Sequence, residues 1–592
     1  MTQIRAGQVL GIRLAVGLLQ GLLLYRLAQS AIDHVWAATH PVLHDAMVAT
    51  FTFAPVILIQ GLGLIRTPRL LLWTLVAAAL AAGLGSYDAW RVIGAPVGVL
   101  LIRSLALYFF LGAGFFIAHA LILGGDADRR FRASYPTHFD VAWKLAMQLL
   151  LASVFSLAFW ALLWLGAGLF QLIGLEFLRK LIDHRWFAMP ATALVVAGGI
   201  HLTDIQAGLV RGTRTLVLVL FSWLLPLMTL LAVGFLAALP IKGLQPLWHL
   251  GHASAALLGA AACLIILINA MYRDGQGAHT PILKYAGFAA ALALVPLVVL
   301  AAYAMGLRVS EYGWSTDRVV TVAAVVVAAF YASGYAASLF VAGGALRLIE
   351  RWNFGAALLI LVVLLALFSP LADPARIAVN DQMARLRSGA ITTARFDFNF
   401  LRNGGARFGH DALVRLAQSP DQALRTRAQD TLLGSGLSPR PQPPLAGHTQ
   451  ADMAARVTVY PKGAQLPPSF LNQDWSVQQP GNYTPRCELR VGAVNETCEA
   501  VVADLDGDGK NEVLLLQEIN GEENFSGYLF QQSTDGVWRH TATLIGPHCP
   551  GDLEALRSGQ IRLVPSLNAD LLLAGRRQML NWLHLNPAVC SG

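Results

Sequence analysis

Charge is what this sequence has least of. Charged residues make up 13% of the chain, against about 25% in an ordinary soluble domain, and the shortfall falls almost wholly on residues 1–370. Cysteine is scarce in the same stretch. Of the five cysteines, only Cys263 precedes residue 370, inside an apolar run where it reads as a small buried hydrophobe. No Cys-x-x-Cys pair and no His/Cys cluster occurs, so nothing points to a zinc site or to dithiol redox chemistry. No compact basic stripe accompanies the net charge of +8, which argues against nucleic acid. Arg and Lys sit instead in short loops between apolar runs. No nucleophile–base motif stands out and the lone histidines are poorly placed, so the sequence leans against an enzyme. After Pro370, no apolar run is long enough to cross a bilayer.

What is present before Pro370 is a series of such runs. Hydrophobic residues are 56% of the chain and the mean hydropathy is +0.55. A run from Val9 to Leu24, interrupted by Arg13, opens the series. It is followed by runs over 43–65, 69–86, 97–123, 145–174, 187–203, 216–239, 248–271, 281–306, 318–343 and 353–370. No small-residue cleavage site separates the first run from the second, so it reads as an uncleaved span. The expected fold is mainly α: a polytopic helical membrane bundle of about eleven spans over residues 1–370. A helical periplasmic segment follows over 371–436, then a Pro-rich linker over 437–449. Residues 450–592 read as a small α+β or β-rich soluble domain.

Loop charge sets the expected orientation. With the N-terminus inside, the inner loops hold Arg66, Arg69, Arg129, Arg130, Arg132, Arg211, Arg214, Arg273, Arg347 and Arg351. The outer loops hold Arg91, Arg179, Lys180, Arg185, Lys242 and Arg308. The bias is inward, and an odd number of spans then carries the tail outside. The cysteines argue the same way. Cys487, Cys498, Cys549 and Cys590 all lie in the soluble tail, and an even number there suggests two disulfides in an oxidising compartment. Three pairings are open; closure of the shorter loop favours Cys487–Cys498, leaving Cys549–Cys590.

Polar residues inside the spans are the intramembrane candidates. Gln20, Gln60, His119 and Asn269 are among them, and Arg103, His201 and Asp204 carry the most weight. Arg103 lies about two turns inside its span. It serves a buried site, snorkels to the interface, or pairs with Asp88 of the preceding loop; the last two are the blander readings. His201 and Asp204 stand three apart on one helical face. A proton relay and a solvated inner helix end are both open for them, and the helix end is favoured. Between spans, residues 175–186 are amphipathic and are expected to lie along the outer interface with Trp186 at head-group level.

Beyond the spans, Asp373-Pro374 starts a helix with Ile377, Met383 and Leu386 as its apolar stripe. The aromatic stretch Phe396, Phe398, Phe400 ends at Gly404-Gly405. Asp411 is expected to cap a helix carrying Leu413 and Leu416, and Ser419-Pro420-Asp421-Gln422 reads as a capping box. Short β-type runs follow at Val457–Val459, Ala500–Val502, Val513–Leu516, Tyr528–Phe530, Ile561–Leu563 and Leu571–Leu573.

The sharpest local signal is DLDGDGKNE over 504–512. Asp504, Asp506 and Asp508 alternate in a glycine-rich loop, Glu512 closes the set, and oxygen ligands of this density select calcium. An EF-hand needs a carboxylate at loop position twelve, where this chain has Leu515. The pattern resembles the shorter calcium loops of FG-GAP repeats in integrin-type propellers. That resemblance implies ligation by Asp504, Asp506, Asp508 and Glu512, with the Lys510 backbone carbonyl as a further ligand. The family prefers Asp where this chain has Glu512. The loop occurs once, so no propeller is implied, and an acidic turn without metal is the bland alternative.

Four stretches resemble an uncharacterised bacterial family of inner-membrane proteins, domain of unknown function 4153. They are RLAVGLLQGLLLY near the start, GIHLTDIQAG before the seventh span and RVSEYGWSTDRV between spans nine and ten. The fourth is DPARIAVNDQMARLRSGAITTARFDFNFLRNGGARFGHDALVRLA after the last span. The resemblance covers most of the chain, implies a bacterial inner-membrane location and supplies no catalytic residues. Two functions stay in view. One is a membrane-anchored periplasmic interaction or envelope-assembly protein, with the lipid bilayer and a periplasmic protein as partners and a structural calcium ion. The other is a transporter of a small molecule or lipid, although no broken-helix pair marks a route.

Overall fold

The computed structural model describes residues 6–93, 97–243, 253–273, 275, 280–340, 348–393, 395–433, 457–473, 498–505, 509–517, 526–533, 536–544, 552–558, 571–573 and 576–578. Contacts group the chain into two compact units. One comprises Met1–Thr392 with Phe400–Ala412, the other Thr393–Asn399 with Leu413–Gly592.

The first unit is a helical bundle. Its long helices are α1 (Ala6–Asp33), α2 (Pro41–Gly61), α3 (Thr67–Val92), α4 (Val97–Ala127), α5 (Tyr135–Leu172), α7 (Arg185–Ile205), α8 (Ala207–Lys242), α9 (Ala253–Tyr272), α10 (Pro281–Tyr312), α11 (Thr316–Ala337) and α12 (Ile349–Leu367). Among the described residues these are eleven helices long and apolar enough to cross a membrane, and each overlaps one of the expected runs. The short α6 (Phe177–Asp183) occupies the amphipathic stretch between α5 and α7. Large apolar side chains such as Leu72, Leu157, Leu165 and Leu230 stay exposed on these helices, as they must where lipid is the solvent.

The helices alternate in direction. The starts of α1, α3, α5, α8, α10 and α12 therefore share a face with the ends of α2, α4, α7, α9 and α11. We call this the N-terminal face. One apolar core lies among α8, α9, α10 and α11, around Leu225, Leu264, Ile268, Leu294 and Tyr335. Another joins α2, α3 and α4 around Ala49, Ile57, Trp73, Ala77 and Leu111.

The α1–α7 pair brings polar residues of two distant spans within reach of each other. Gly17-x-x-x-Gly21 on α1 faces Ala193, Ala197 and Pro190 on α7, and a Cβ on Gly21 would run into the Pro190 Cα. Small residues at this spacing let two backbones approach closely where no hydrophobic effect drives helices together. The same antiparallel register sets Arg13, one turn before Gly17, against His201 and Asp204, just beyond Ala197.

On the opposite face α13 (Pro374–Arg387) follows the last span. Asp373 caps it, its Oδ1 accepting from the N–H groups of Ala375 and Arg376, with Pro374 at the first helical position as the sequence predicts. Two short helices follow, α14 (Phe398–Asn403) and α15 (Ala406–Leu416). A side chain on Gly409 would meet the Leu401 carbonyl, so the tight approach of these two helices requires glycine. Asp411, expected as a cap, lies inside α15 instead, because the helix already starts after the Gly404-Gly405 break.

The second unit carries α16 (Gln422–Leu433), capped by Asp421 rather than by Ser419. The Ser419 hydroxyl accepts from the Asp421 N–H one step earlier. Its sheet has five strands in the order β1 (Val457–Tyr460), β2 (Cys498–Ala503), β3 (Glu512–Gln517), β4 (Ser526–Gln532) and β5 (Trp538–Leu544). β1 runs parallel to β2 and the rest form an antiparallel meander. Both faces are covered. Ala500, Val502, Val513, Leu515 and Phe530 pack with Phe470 of α17 (Pro468–Leu471) on one side. Val501, Leu514, Leu516 and Leu529 pack with Leu553 and Leu556 of α18 (Asp552–Ser558) on the other. That is why these strands read as continuous apolar runs instead of alternating. β5 was not foreseen: it is an edge strand, WRHTATL, with too few apolar residues to show a run. A two-stranded ladder pairs β6 (Leu571–Leu573) with β7 (Arg576–Gln578). The strand expected at Ile561–Leu563 lies outside the described residues, as do Cys487, Cys549 and Cys590.

Candidate functional site: a charged cluster among three spans

Arg13 is 1% exposed, although it stands inside a membrane span. A guanidinium keeps its charge at any working pH, so its burial demands partners. Nη2 donates to the Asp204 carboxylate at 3.0 Å and to the Leu62 carbonyl at 2.9 Å. Nη1 lies 3.2 Å from Nδ1 of His201. Since a guanidinium only donates, that ring nitrogen must accept, which makes His201 neutral with its proton on Nε2. Arg13 Nε has no hydrogen-bond partner among the described residues.

Asp204 is shared. Lys144 Nζ reaches its Oδ1 at 3.0 Å and Gln148 Nε2 the same oxygen at 3.4 Å. Lys144 and Gln148 stand one helical turn apart on α5, so they present to the same carboxylate. The cluster therefore joins α1, α5 and α7 at the N-terminal face. With His201 neutral it holds two cations and one anion. The solvated helix end that the sequence favoured for His201 and Asp204 is not what the fold makes. His201 is buried, and the Asp204 side chain is 20% exposed and bound from three sides.

A second polar group lies on the same face and is uncharged. Asn269 Nδ2 donates to Tyr335 Oη at 2.7 Å, Tyr335 donates to Asn353 Oδ1 at 2.7 Å, and Asn353 Nδ2 donates back to Asn269 Oδ1 at 2.6 Å. The ring is closed, and Asn353 also reaches Tyr135 Oη at 3.2 Å. It ties α9, α11, α12 and α5. Such a ring leaves few donors for a passing solute and serves as a lock between helices.

The loops of this face are also fastened. Arg66 and Arg69 both reach Asp126 Oδ1, at 2.7 Å and 2.8 Å, so two of the charges that set the orientation argument hold the end of α4. In the α4–α5 loop the Ser134 backbone N–H and the Thr137 hydroxyl donate to Asp128 and hold its carboxyl below the usual carboxylate range.

On the opposite face Asp373 is fully buried. Its Oδ2 accepts from Tyr87 Oη at 2.9 Å and from Arg91 Nη1 at 3.3 Å, while Arg91 Nε holds Asp88 at 2.7 Å. The carboxylate that caps α13 is thus riveted to the end of α3. Asp88, the partner considered for Arg103, is paired with Arg91. Arg103 itself lies in α4, and its side chain is outside the described residues.

In the second unit β2 and β3 pair up to Ala503 opposite Glu512, which brings the two ends of the acidic loop together. Glu512 is buried and its Oε2 accepts from the Leu505 N–H at 2.7 Å. Asp504 Oδ2 accepts from the Gly509 N–H at 3.0 Å. Asp506 and Asp508 lie outside the described residues.

Sequence reasoning found His201 and Asp204 but not their partners. Arg13 was visible as a charge interrupting the first apolar run. Lys144 and Gln148, at the start of the run over 145–174, were not singled out. Arg13 opens RLAVGLLQGLLLY, and His201 and Asp204 lie in GIHLTDIQAG, so two of the stretches that carry the family resemblance meet here. The other two meet on the opposite face: Trp314 N–H donates to Asp381, and Gln382 donates to the Trp314 carbonyl.

Comparison with known proteins bears on most of the first unit. The family model described as "Domain of unknown function (DUF4153)" matches residues 12–417, more than half of the chain. No curated protein and no solved structure matches.

Proposed function

The chain belongs to this family of unknown function, DUF4153, and is a multi-pass membrane protein; from that premise we propose that it is a membrane-anchored interaction or envelope-assembly protein of the bacterial inner membrane. In this reading the spans anchor and orient, and the strand-bearing domain over 450–592 meets a periplasmic protein partner. The N-terminus is cytoplasmic and the chain after Pro370 periplasmic, as the inward bias of Arg and Lys supports. The observation that carries the reading is the buried junction of Asp373 with Arg91 and Tyr87. It makes the first helix after the spans a rigid continuation of the bundle, which is what an anchor for an outer domain needs.

A structural calcium ion in the 504–512 loop belongs to the same reading. The residues fit it in kind. Asp504 and Glu512 are carboxylates at the two ends of a loop closed by paired strands, and Asp506, Asp508 and the Lys510 carbonyl supply further oxygens in sequence. The ion would hold the loop's like charges together.

A transporter is the second reading, and one observation favours it. The cluster at Arg13, Lys144, Asp204 and His201 carries an excess positive charge inside the spans, with Arg13 Nε unpartnered among the described residues. A buried imbalance of this kind is a usual mark of a solute or proton path.

Truncation separates the two readings. A chain ending at Gly436 and the full chain are expressed in a strain deleted for the gene, and envelope integrity is scored at matched abundance. The anchor reading expects only the full chain to complement, and a reporter fused at Gly436 to work only as a periplasmic reporter. Complementation by the shortened chain would move the activity into the spans, and a reporter active only in the cytoplasm would reverse the orientation.

A further inference from the structure

At the opposite face three arginines gather around one turn. Arg308 lies in the last turn but one of α10, Arg318 in the first turn of α11 and Arg385 near the end of α13. Arg318 Nη1 donates to the Gly313 carbonyl and its guanidinium lies 5.6 Å over the Tyr312 ring. Arg385 Nη2 donates to the Glu311 carbonyl at 2.9 Å, and its Cδ would sit 2.9 Å from a Cβ on Gly313. Two guanidiniums are thus seated on the same three-residue turn. Arg308 is close enough for its charge to act on both Arg318 and Tyr312. All three arginines are half-buried.

Like charges in one half-buried place repel, and two of the three arginines close no ion pair. Among the described residues neither Arg318 nor Arg385 has a carboxylate within ion-pair distance. Both donate to backbone carbonyls instead, and Arg385 Nε is buried without a partner. Asp381, the carboxylate nearest the turn, accepts from the Trp314 N–H at 2.8 Å. Glu311 and Asp317 are exposed. The start of α11 adds the positive end of a helix dipole. Guanidinium forks match phosphate oxygens in geometry as well as charge.

Depth identifies the source of the phosphate. Tyr312 closes one membrane-spanning helix and Thr316 opens the next, so the turn lies at head-group level. Below it on α10, Leu307 and Tyr303 are exposed. We propose that Arg308, Arg318 and Arg385 form a binding site for a phosphate group, that of an anionic phospholipid whose tails lie along α10. Basic pockets between spans recognise lipid head groups in this way.

The test uses the full chain in phosphatidylcholine nanodiscs. Phosphatidylglycerol is then supplied, and native mass spectrometry reads the lipid retained; calorimetry with inorganic phosphate reads the free anion. Wild type should retain phosphatidylglycerol in preference to phosphatidylcholine. Removing two arginines with Arg318→Gln/Arg385→Gln should weaken retention about thirtyfold. Arg387→Gln, on the same helix but bonded to its own Met383 carbonyl, should leave it unchanged. Because Arg318 and Arg385 also hold the turn, Arg308→Gln is the second variant, expected to weaken retention if the double variant does not accumulate. Phosphate binding without lipid retention, lost in the same variants, supports the site and assigns it to soluble phosphate. A wild-type protein that holds neither probe, or variants that hold both as well as wild type, overturns the proposal.

Discussion

Arg13 and Asp204 meet at 3.0 Å across 191 positions of sequence, and the contact is possible only because α1 and α7 touch through Gly17 and Gly21. The pair is buried on the arginine side and only a fifth exposed on the carboxylate side. Breaking such a pair from one side leaves an uncompensated charge, which costs about 3 kcal/mol or more. Arg13→Gln and Asp204→Asn should each lower the melting temperature in detergent. The double variant should cost less than the sum of the two, since it removes both charges. Strict additivity in that double-mutant cycle would show that the pair does not hold the helices together.

Asp373 has two duties that can be separated. As a cap it satisfies N–H groups of α13, and as an anion it holds Arg91. Asn caps nearly as well as Asp, so Asp373→Asn keeps the first duty and weakens the second, while Asp373→Ala loses both. The alanine variant should be the less stable by about 1 kcal/mol. Protease cleavage within 374–387 should rise in the same order. Equal behaviour of the two variants would remove the cap from the account.

Asp128 gives the N-terminal face a pH dependence of known sign. Its carboxyl is held below the usual range by the Ser134 N–H and the Thr137 hydroxyl. A depressed folded-state pKa stabilises above the unfolded value of about 3.9, and that gain is lost as pH falls through the folded pKa. Asp128→Asn should therefore lower the melting temperature at neutral pH. The difference from wild type should shrink in acid, below about pH 4. A difference that stays constant down to that pH would assign the loss to hydrogen bonding alone.

For the acidic loop the measurement is limited proteolysis of the full chain, following cuts within 450–592. Calcium should protect this region with an affinity of roughly 10⁻⁴ to 10⁻³ M, the range of extracellular modules, and magnesium should protect it less because it demands tighter geometry. Asp506→Ala should fold but lose the calcium effect. Cleavage that is the same with and without millimolar calcium would leave only an acidic turn.

Much of this architecture is legible in the chain because its signals are local. A span is a run of apolar residues, and its length needs no knowledge of its neighbours. The Asp373-Pro374 helix start is written in two adjacent residues. The strands at Val513–Leu516 and Tyr528–Phe530 are apolar because both faces of their sheet are covered. Where the local signal was ambiguous, the reading slipped by a turn or failed. Asp421 caps where Ser419 was expected, and β5, at a sheet edge, carried no apolar run.

The sequence by itself determined the eleven apolar helices and the presence of polar residues inside them, but not their ends, since α1, α5 and α8 each run well past the apolar run that announced them. Only the tertiary structure decided which of those residues meet. Nothing near Arg13 announces Asp204 or Lys144, and nothing near Asn353 announces Asn269 and Tyr335. The physical reason is that a polar group in a span must find a partner, but the partner is chosen by which helix backbones can approach. That depends on small residues such as Gly17 and Gly21 facing their counterparts on a helix far away in the chain.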